Sequence, residues 1–380
     1  MDELPSEIIL DILSRMPIES LARFRCLSKV WCQHIDDDPY ILIILAPIIL
    51  LHQKSSHPYR IRILSLCKKN KKDIDLEVKK DPLMEFEYCP TLSNYLYPPV
   101  MVQGSCNGWL FLSLLYGDEV ETPIVVHPIR KELYKVPRML HRRVPAKLCG
   151  LGFDASTNTF KMVCVMPKRN KQKLYTMVHV FGTNSWRKIS QVPSYPITCR
   201  SIFAQGCLYW LVVIEREVPM DDDKYKVIWF DVTNEKFGMI DLPRLTKNRW
   251  IMSDQLVNLN GEVGFAYADC DLKVWVLKQE KWVIRFQINR KPLVSLQSIW
   301  LIGCLNKAGD ILMTARIMNQ TRGSRRDDER TGLFVYKLQS GILDEVKIIG
   351  QEDIDIDDSD DIDASDEILV MEGKEFIRIY

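Results

Sequence analysis

Hydrophobic and polar positions fall into two textures along this chain. Over the first forty residues they recur at helical spacing. Ile8, Ile9, Ile12, Leu13 and Met16 form one apolar stripe. Ser6 stands where a helix cap would, and Glu7 follows in the first turn, where the positive end of the helix dipole favours a carboxylate. Pro17 ends that helix and suits the first turn of another, on which Leu21 and Phe24 continue the apolar face. Ser28 can cap a third helix carrying Trp31 and Ile35, and Asp36-Asp37-Asp38-Pro39 closes the unit. Three short helices in about forty residues bury too little surface to be self-sufficient. The unit needs a partner: either the rest of the chain, as a helical cap on it, or another protein.

From about residue 59 the helical period disappears and short apolar runs alternate with turn signals. One recurrent feature is a polar-Gly turn followed by an apolar run. It occurs at Asn107-Gly108-Trp109-Leu110-Phe111, Gln205-Gly206-Cys207-Leu208, Asn260-Gly261-Glu262-Val263 and Ala308-Gly309-Asp310-Ile311. Glycine permits the positive φ that a tight hairpin needs. The second feature is an apolar run, a polar turn, and then a large residue opening the return strand. Tyr134, Phe160, Trp186, Phe237, Trp282 and Leu343 hold that place, and without Phe160, which sits mid-unit, their spacings are 52, 51, 45 and 61.

A period near fifty made only of strands predicts propeller blades of the kelch type. Five blades trace over about 100–140, 148–192, 200–245, 255–290 and 298–348. A sixth would come from Arg60–Val78, completed from the C-terminal Glu367–Tyr380, whose Ile368-Leu369-Val370 and Phe376-Ile377-Arg378-Ile379-Tyr380 read as a final hairpin. Closing a ring with strands from both ends protects its edges. The alternative that the pattern leaves open is an open sheet or a two-layer sandwich. The expected fold class is α+β and multidomain: a small three-helix unit (1–40), a connector (41–58), an all-β propeller of about six blades (59–350), an acidic disordered loop (351–366) and closing strands (367–380).

Composition adds limits. The 380 residues carry a net charge of +1, so no overall polyanion-binding character appears and no nucleic-acid partner is expected. That sum hides an asymmetry, because 352–367 hold ten Asp and Glu and no Lys or Arg. Such a run repels itself and is expected to be disordered. It is expected to shield the more basic body, so that deleting 352–366 changes the salt-dependent binding of charged partners; unchanged binding would remove the idea. The eleven cysteines include no Cys-x-x-Cys and form no cluster with the six histidines, which predicts reduced, mostly buried thiols in cytoplasm or nucleus and no metal. Ile41–Leu51 is apolar but about half the length of a membrane span, and Pro47 interrupts it; a buried connector leading into a strand is expected, and no membrane partner.

The opening segment resembles an F-box. Leu4-Pro5 matches that family's opening, Ile12-Leu13-Ser14-Arg15-Met16-Pro17 its "I-L-x-R-L-P", and Leu27-Ser28-Lys29-Val30-Trp31 its "V-S-K-x-W". Met16 and Leu27 depart by apolar swaps of similar volume, which packed surfaces tolerate best. The body resembles the plant F-box-associated interaction domain. Gly104-Ser105-Cys106-Asn107-Gly108-Trp109-Leu110 is similar to "G-S-C-N-G-L-L", Gly152-Phe153-Asp154 through Lys161-Met162-Val163 to "G-F-G-Y-D…Y-K-V-V", and Thr183-Asn184-Ser185-Trp186-Arg187-Lys188-Ile189 to "T-x-S-W-R-x-I". His127 and Ile129-Arg130 depart from the family's "N-P-x-T-R-E".

The resemblance implies a non-catalytic substrate-recognition subunit of an SCF-type ubiquitin ligase. Its F-box would bind a Skp-type adaptor, and through it cullin and RING subunits, while the β body holds an unknown protein substrate. Leu4, Pro5, Ile8, Ile9, Leu13, Leu21, Leu27 and Trp31 would be the adaptor-binding anchors, with no cofactor implied. The rival readings are an adaptor-bound scaffold outside any ligase and a propeller that binds a small ligand or glycan. The residues themselves offer no phosphate loop and no Gly-x-Ser-x-Gly nucleophile turn, and Gly150-Leu151-Gly152 lacks a following helical pattern. Basic runs at 68–72 and 168–173 read as solvated hairpin loops. By polarity, the candidate recognition loops are 141–147, 168–173, 216–224, 246–254 and 318–330.

Overall fold

The structure is a computed structural model. It describes residues 8, 12, 16, 20, 48–54, 59–68, 75–78, 81–88, 100–114, 123–137, 139, 148–167, 173–197, 199–213, 225–243, 254–268, 271–289, 291–293, 296–305, 309–317, 330–349 and 375–378. Of the N-terminal unit this leaves Ile8, Ile12 and Ser20, which are helical, and Met16, in a bend. The expected three-helix arrangement otherwise lies outside the described residues, as do the acidic run and 368–370.

The body is an all-β propeller of six blades. The first sheet contains β1 (Ile48–Lys54), β2 (Tyr59–Lys68), β3 (Leu76–Val78) and β4 (Met84–Tyr88). Four further strands make the second: β5 (Val100–Cys106), β6 (Trp109–Leu114), β7 (Ile124–His127) and β8 (Glu132–Lys135). The third holds β9 (Cys149–Asp154), β10 (Thr159–Pro167), β11 (Leu174–Val180) and β12 (Trp186–Ile189), and the fourth β13 (Ser201–Ala204), β14 (Cys207–Val213), β15 (Tyr225–Asp231) and β16 (Lys236–Asp241). In the fifth are β17 (Gln255–Leu259), β18 (Glu262–Ala268), β19 (Leu272–Lys278) and β20 (Lys281–Ile288); in the sixth, β21 (Leu296–Cys304), β22 (Ile311–Ile317), β23 (Arg330–Lys337) and β24 (Ile342–Val346).

Blades two to six are each a four-stranded antiparallel meander with sequential neighbours paired. Their tight turns follow from sequence. Asn107 and Gly108 have φ of 45° and 83°, Gln205 and Gly206 51° and 76°, and Asn260 and Gly261 58° and 87°. Two successive positive φ values are the two-residue hairpin whose twist matches that of its strands.

The first blade is closed by the far end of the chain. β26 (Glu375–Arg378) pairs antiparallel with β1, Ile48 opposite Arg378 and Leu51 opposite Glu375. β25 (Ile348–Ile349) adds to β3 in parallel at the outer side of the same sheet. The expectation that 41–58 is only a connector is therefore corrected, since β1 lies within it. Its apolar run Ile48-Ile49-Leu50-Leu51 is what a strand between two partners needs. The innermost strands form a cycle of contacts: β5 with β9, β9 with β13, β13 with β17, β17 with β21, β21 with β26 and β26 with β5.

Hydrophobic clusters lie between blades, one at every junction. Ile61, Val102 and Leu110 join blades one and two; Phe111, Leu151 and Met162 join two and three. Val163, Trp210 and Phe230 fill the next junction, and Tyr209, Phe265 and Trp275 the one after. Val276, Leu301 and Met313 join blades five and six, and Leu64, Leu76, Leu312 and Val335 return to blade one. A blade thus buries both faces against neighbours, and only its outermost strand alternates outward. The central β10 is buried from Lys161 to Met166, whereas the outer β8 is largely exposed.

One expectation about sulfur is corrected. Cys149 and Cys164 face each other across β9 and β10 with Cα atoms 4.1 Å apart, and they are joined as a disulfide. Fifteen residues separate them in sequence, and only the register of the hairpin brings them opposite. The described Cys106, Cys199, Cys207 and Cys304 are not in disulfides.

Candidate recognition face

Antiparallel meanders give a propeller two chemically different faces. One carries the tight turns between first and second and between third and fourth strands, such as 107–108, 205–206, 260–261 and 338–341. The other carries the connections between second and third strands and the passages from each outer strand to the next inner one. All five loops singled out by polarity belong to this second set: 168–173, 216–224 and 318–330 link second to third strands, and 141–147 and 246–254 link successive blades. The loops lie almost wholly outside the described residues, but the strand ends that carry them share one face.

β1, the first described strand, starts at the opposite face. Ile48 opens β1 beside Arg378, the end of inner strand β26. Inner strands run from the loop face to the turn face, so β1 begins at the turn face.

Where the inner strands begin, side chains of different blades meet. Arg200, just before β13, brings Nη2 to 3.6 Å from Sδ of Met101 on β5. Gln255, the first residue of β17, donates from Nε2 to the Leu301 carbonyl of blade six at 3.4 Å. Its Oε1 and that of Gln103 on β5 are buried and accept no hydrogen bond among the described residues. Deeper along the strand, Asn258 Nδ2 donates to the Phe203 carbonyl at 2.8 Å and ties blade five to blade four. Gln103 Nε2 likewise donates to Ser113 Oγ at 2.7 Å, so these buried amides tie strands and blades together.

The turn face is held by charge. Asp154 ends β9 and is 1% exposed. Its Oδ2 meets Lys161 Nζ at 2.8 Å, and Oδ1 accepts hydrogen bonds from Ser156 and from Thr233 of blade four. Lys161 also donates to the Val232 carbonyl at 2.8 Å and to Glu235 at 3.1 Å, and Glu235 is paired in turn with Arg187. Burial works against charge on Asp154, but the hydrogen bonds from Lys161, Ser156, Thr233 and Thr157 outweigh it and hold the carboxyl well below the usual carboxylate range. Glu235 is lowered in the same way, with burial opposed by Arg187 and Lys161. Lys161 sits in an otherwise apolar strand, Phe160-Lys161-Met162-Val163-Cys164, and that single charge was the one sequence signal of the network.

The large residues that set the repeat are junction pieces. Tyr134, Trp186, Phe237, Trp282 and Leu343 all lie on outermost strands, while Phe160 lies on the second strand of its blade. Trp186 Nε1 donates to the Pro137 carbonyl at 2.7 Å and Trp282 Nε1 to the Asp241 carbonyl at 2.8 Å, in each case at the end of the preceding blade's outer strand. Tyr134 reaches forward to His179, Oη to Nε2, at 2.8 Å. His179 is fully buried; that burial lowers its pKa against the raising effect of the Ser185 carbonyl, which favours the neutral ring. Among the described residues, no group of three or more His, Cys, Asp and Glu side chains is arranged to hold a metal ion.

Of the expected adaptor anchors only Ile8 is described. It is 46% exposed and helical, and Ile12, one turn further, is 44% exposed. Two isoleucines on one side of a helix are thus left open to solvent. Leu4, Pro5, Ile9, Leu13, Leu21, Leu27 and Trp31 lie outside the described residues.

Comparison with known proteins agrees with this division. The F-box associated beta propeller domain model matches residues 91–368, and the F-box domain model matches 1–42. Similar proteins from Arabidopsis thaliana include F-box protein At3g07870, 27% identical, with 76% of this chain and 73% of that one covered. F-box protein At2g15640 is 23% identical over 80% and 73%, and F-box protein At4g19940 is 19% identical over 92% and 87%. Among solved structures, a prolyl endopeptidase (11% identity, TM-score 0.37, 90% of this chain and 53% of that one) scores too low to inform either fold or activity. With both family models matched in order and the six-bladed ring complete, the chain belongs to the F-box proteins that carry an F-box-associated beta-propeller domain.

Proposed function

We propose that this chain is the substrate-recognition subunit of an SCF-type ubiquitin ligase. The observation that carries the reading is the opposition of the two faces. β1 begins at the turn face, at Ile48, and the long polar connections spring from the other face. A protein bound at the loop face lies across the ring from the point where β1 begins. The body serves as a spacer whose six junctions resist bending.

The F-box would engage a Skp-type adaptor through Leu4, Pro5, Ile8, Ile9, Leu13, Leu21, Leu27 and Trp31, and through it cullin and RING subunits. The exposed Ile8 supports an apolar contact there. The chain makes and breaks no bond in this mechanism. It raises the effective concentration of substrate lysines beside a ubiquitin carrier, and orientation by a stiff body adds to proximity. Such work belongs in cytoplasm or nucleus.

The test is a pull-down of a Skp-type adaptor with the full chain. Leu4→Ala with Pro5→Ala is expected to abolish binding while the circular dichroism spectrum and melting of the propeller stay unchanged. Retained binding would overturn the adaptor assignment. Co-purification of a cullin separates a ligase subunit from an adaptor-bound scaffold. Affinity capture with and without residues 1–40 would then identify targets, as proteins that accumulate on the truncated form.

A further inference from the structure

The Cys149–Cys164 pair lies where a change of covalent state would be felt by three blades. Cys149 opens β9, the innermost strand of blade three, which touches β5 on one side and β13 on the other. Both cysteine side chains belong to the cluster between blades two and three, with Phe111, Val125, Leu151 and Met162, and they are 1% and 0% exposed. The neighbouring Gly150 faces blade four. A Cβ placed there would stand 2.8 Å from Ser201 Oγ and 2.9 Å from both Leu208 Cδ1 and Trp210 Cζ2. β9 therefore has no room to retreat toward blade four.

Reduction replaces one S–S bond by two S–H groups in a fully buried site, and a close-packed interior answers such a change by shifting neighbours. Gly150 is closely packed against blade four, and both sulfurs lie in the cluster shared with blade two, so the change is felt there.

We propose that Cys149 and Cys164 are a redox-responsive pair whose oxidation state sets the packing between blades two and three. The exchange balances against a low-molecular-weight disulfide such as oxidised glutathione. The two thiols form one S–S bond and lose two protons and two electrons, and the reagent's S–S bond breaks to give two thiols. Because both sulfurs are buried, exchange proceeds through local opening of the blade and is slow compared with that of an exposed pair. The inference is independent of the ligase assignment and uses no partner protein.

The test equilibrates the full chain in reduced and in oxidised glutathione buffers, followed by unfolding, alkylation and mass measurement. In the oxidised buffer a peptide linking Cys149 to Cys164 is expected, with two fewer alkylated thiols and a melting temperature about 5 °C higher than in the reduced buffer. Hydrogen exchange should slow in β5 as well as in β9 and β10. Cys164→Ala should abolish the linked peptide and the temperature shift, whereas Cys106→Ala should keep both. Alkylation of all cysteines in both buffers would overturn the proposal. So would a shift that survives Cys164→Ala, or an exchange difference confined to β9 and β10, which would mean a static staple without reach to blade two.

Discussion

Removing residues 350–380 is expected to unfold the propeller rather than shorten it. β26 is only four residues long, yet it is the innermost strand of the closing blade and the sole described link in the inner cycle between β21 and β5. Without it, β1 becomes an unpaired inner edge whose sequence, Ile48-Ile49-Leu50-Leu51, is apolar and suited to pairing with another chain. Blades six and two would keep their own hairpins, but the ring that presses blade faces together would be open at one junction. Since each blade buries its faces only against neighbours, the loss spreads around the cycle. The expected result is a non-cooperative melt or a melting temperature lowered by more than about 15 °C, with aggregation visible by light scattering. Deleting 352–366 alone is the control. It leaves about ten residues between β25 and β26, which can span roughly 33 Å, whereas the four ladder steps from β25 to β26 amount to about 19 Å. That variant should melt within a few degrees of the intact chain. If the truncation melts like the intact chain, β26 is not the closing strand.

Lys161→Met is expected to cost about 3–5 kcal/mol, because it leaves a buried carboxylate without its cation. Asp154 is 2% exposed at its side chain and has no second cation within 4.0 Å among the described residues, whereas Glu235 keeps Arg187. The substitution also removes the link from β10 to the Val232 carbonyl, so it loosens blade three from blade four as well as the hairpin itself. Lys161→Met combined with Asp154→Asn should cost less than the sum of the two single changes, since the pair is lost together. Urea denaturation read by tryptophan fluorescence would measure this. An effect below about 1 kcal/mol would mean that the pair contributes no more than an exposed one.

The same cluster sets an acid dependence. The carboxyls of Asp154, Asp231 and Glu235 are all held below their ordinary values in the folded protein. A depressed acid stabilises the fold fully above its unfolded pKa, near about 4, and that contribution is lost as pH falls below it. Stability should therefore drop steeply below about pH 4 in the intact chain. In Lys161→Met the drop should flatten, because burial alone would push the Asp154 carboxyl upward.

Several features of this architecture are legible in the chain. The turn pairs Asn107-Gly108, Gln205-Gly206 and Asn260-Gly261 announce hairpins because only certain residues accept positive φ. The recurrence of Tyr134, Trp186, Phe237, Trp282 and Leu343 marks the outermost strands because every blade needs a large residue against the next. Local physics decides both, so a linear reading finds them. The Cys149–Cys164 bond and the buried Lys161 network were not legible, because each depends on which residues stand opposite after pairing. A strand pattern states what is buried but not what is across from it. β1 was hidden for a related reason: an apolar stretch after Pro47 reads equally as connector or strand until its partners are known.

Taken alone, the sequence determined that the body is built of about fifty-residue strand units and that the first forty residues resemble an F-box, because turn chemistry, apolar period and ordered motifs are local properties. The closing strand was legible as a C-terminal apolar run, but only the tertiary structure decided which strands it registers with, at which face β1 begins, and which buried charges and sulfurs meet. Those outcomes follow from contacts between residues hundreds of positions apart, such as Ile48 with Arg378 and Leu76 with Ile348, and no local pattern encodes them.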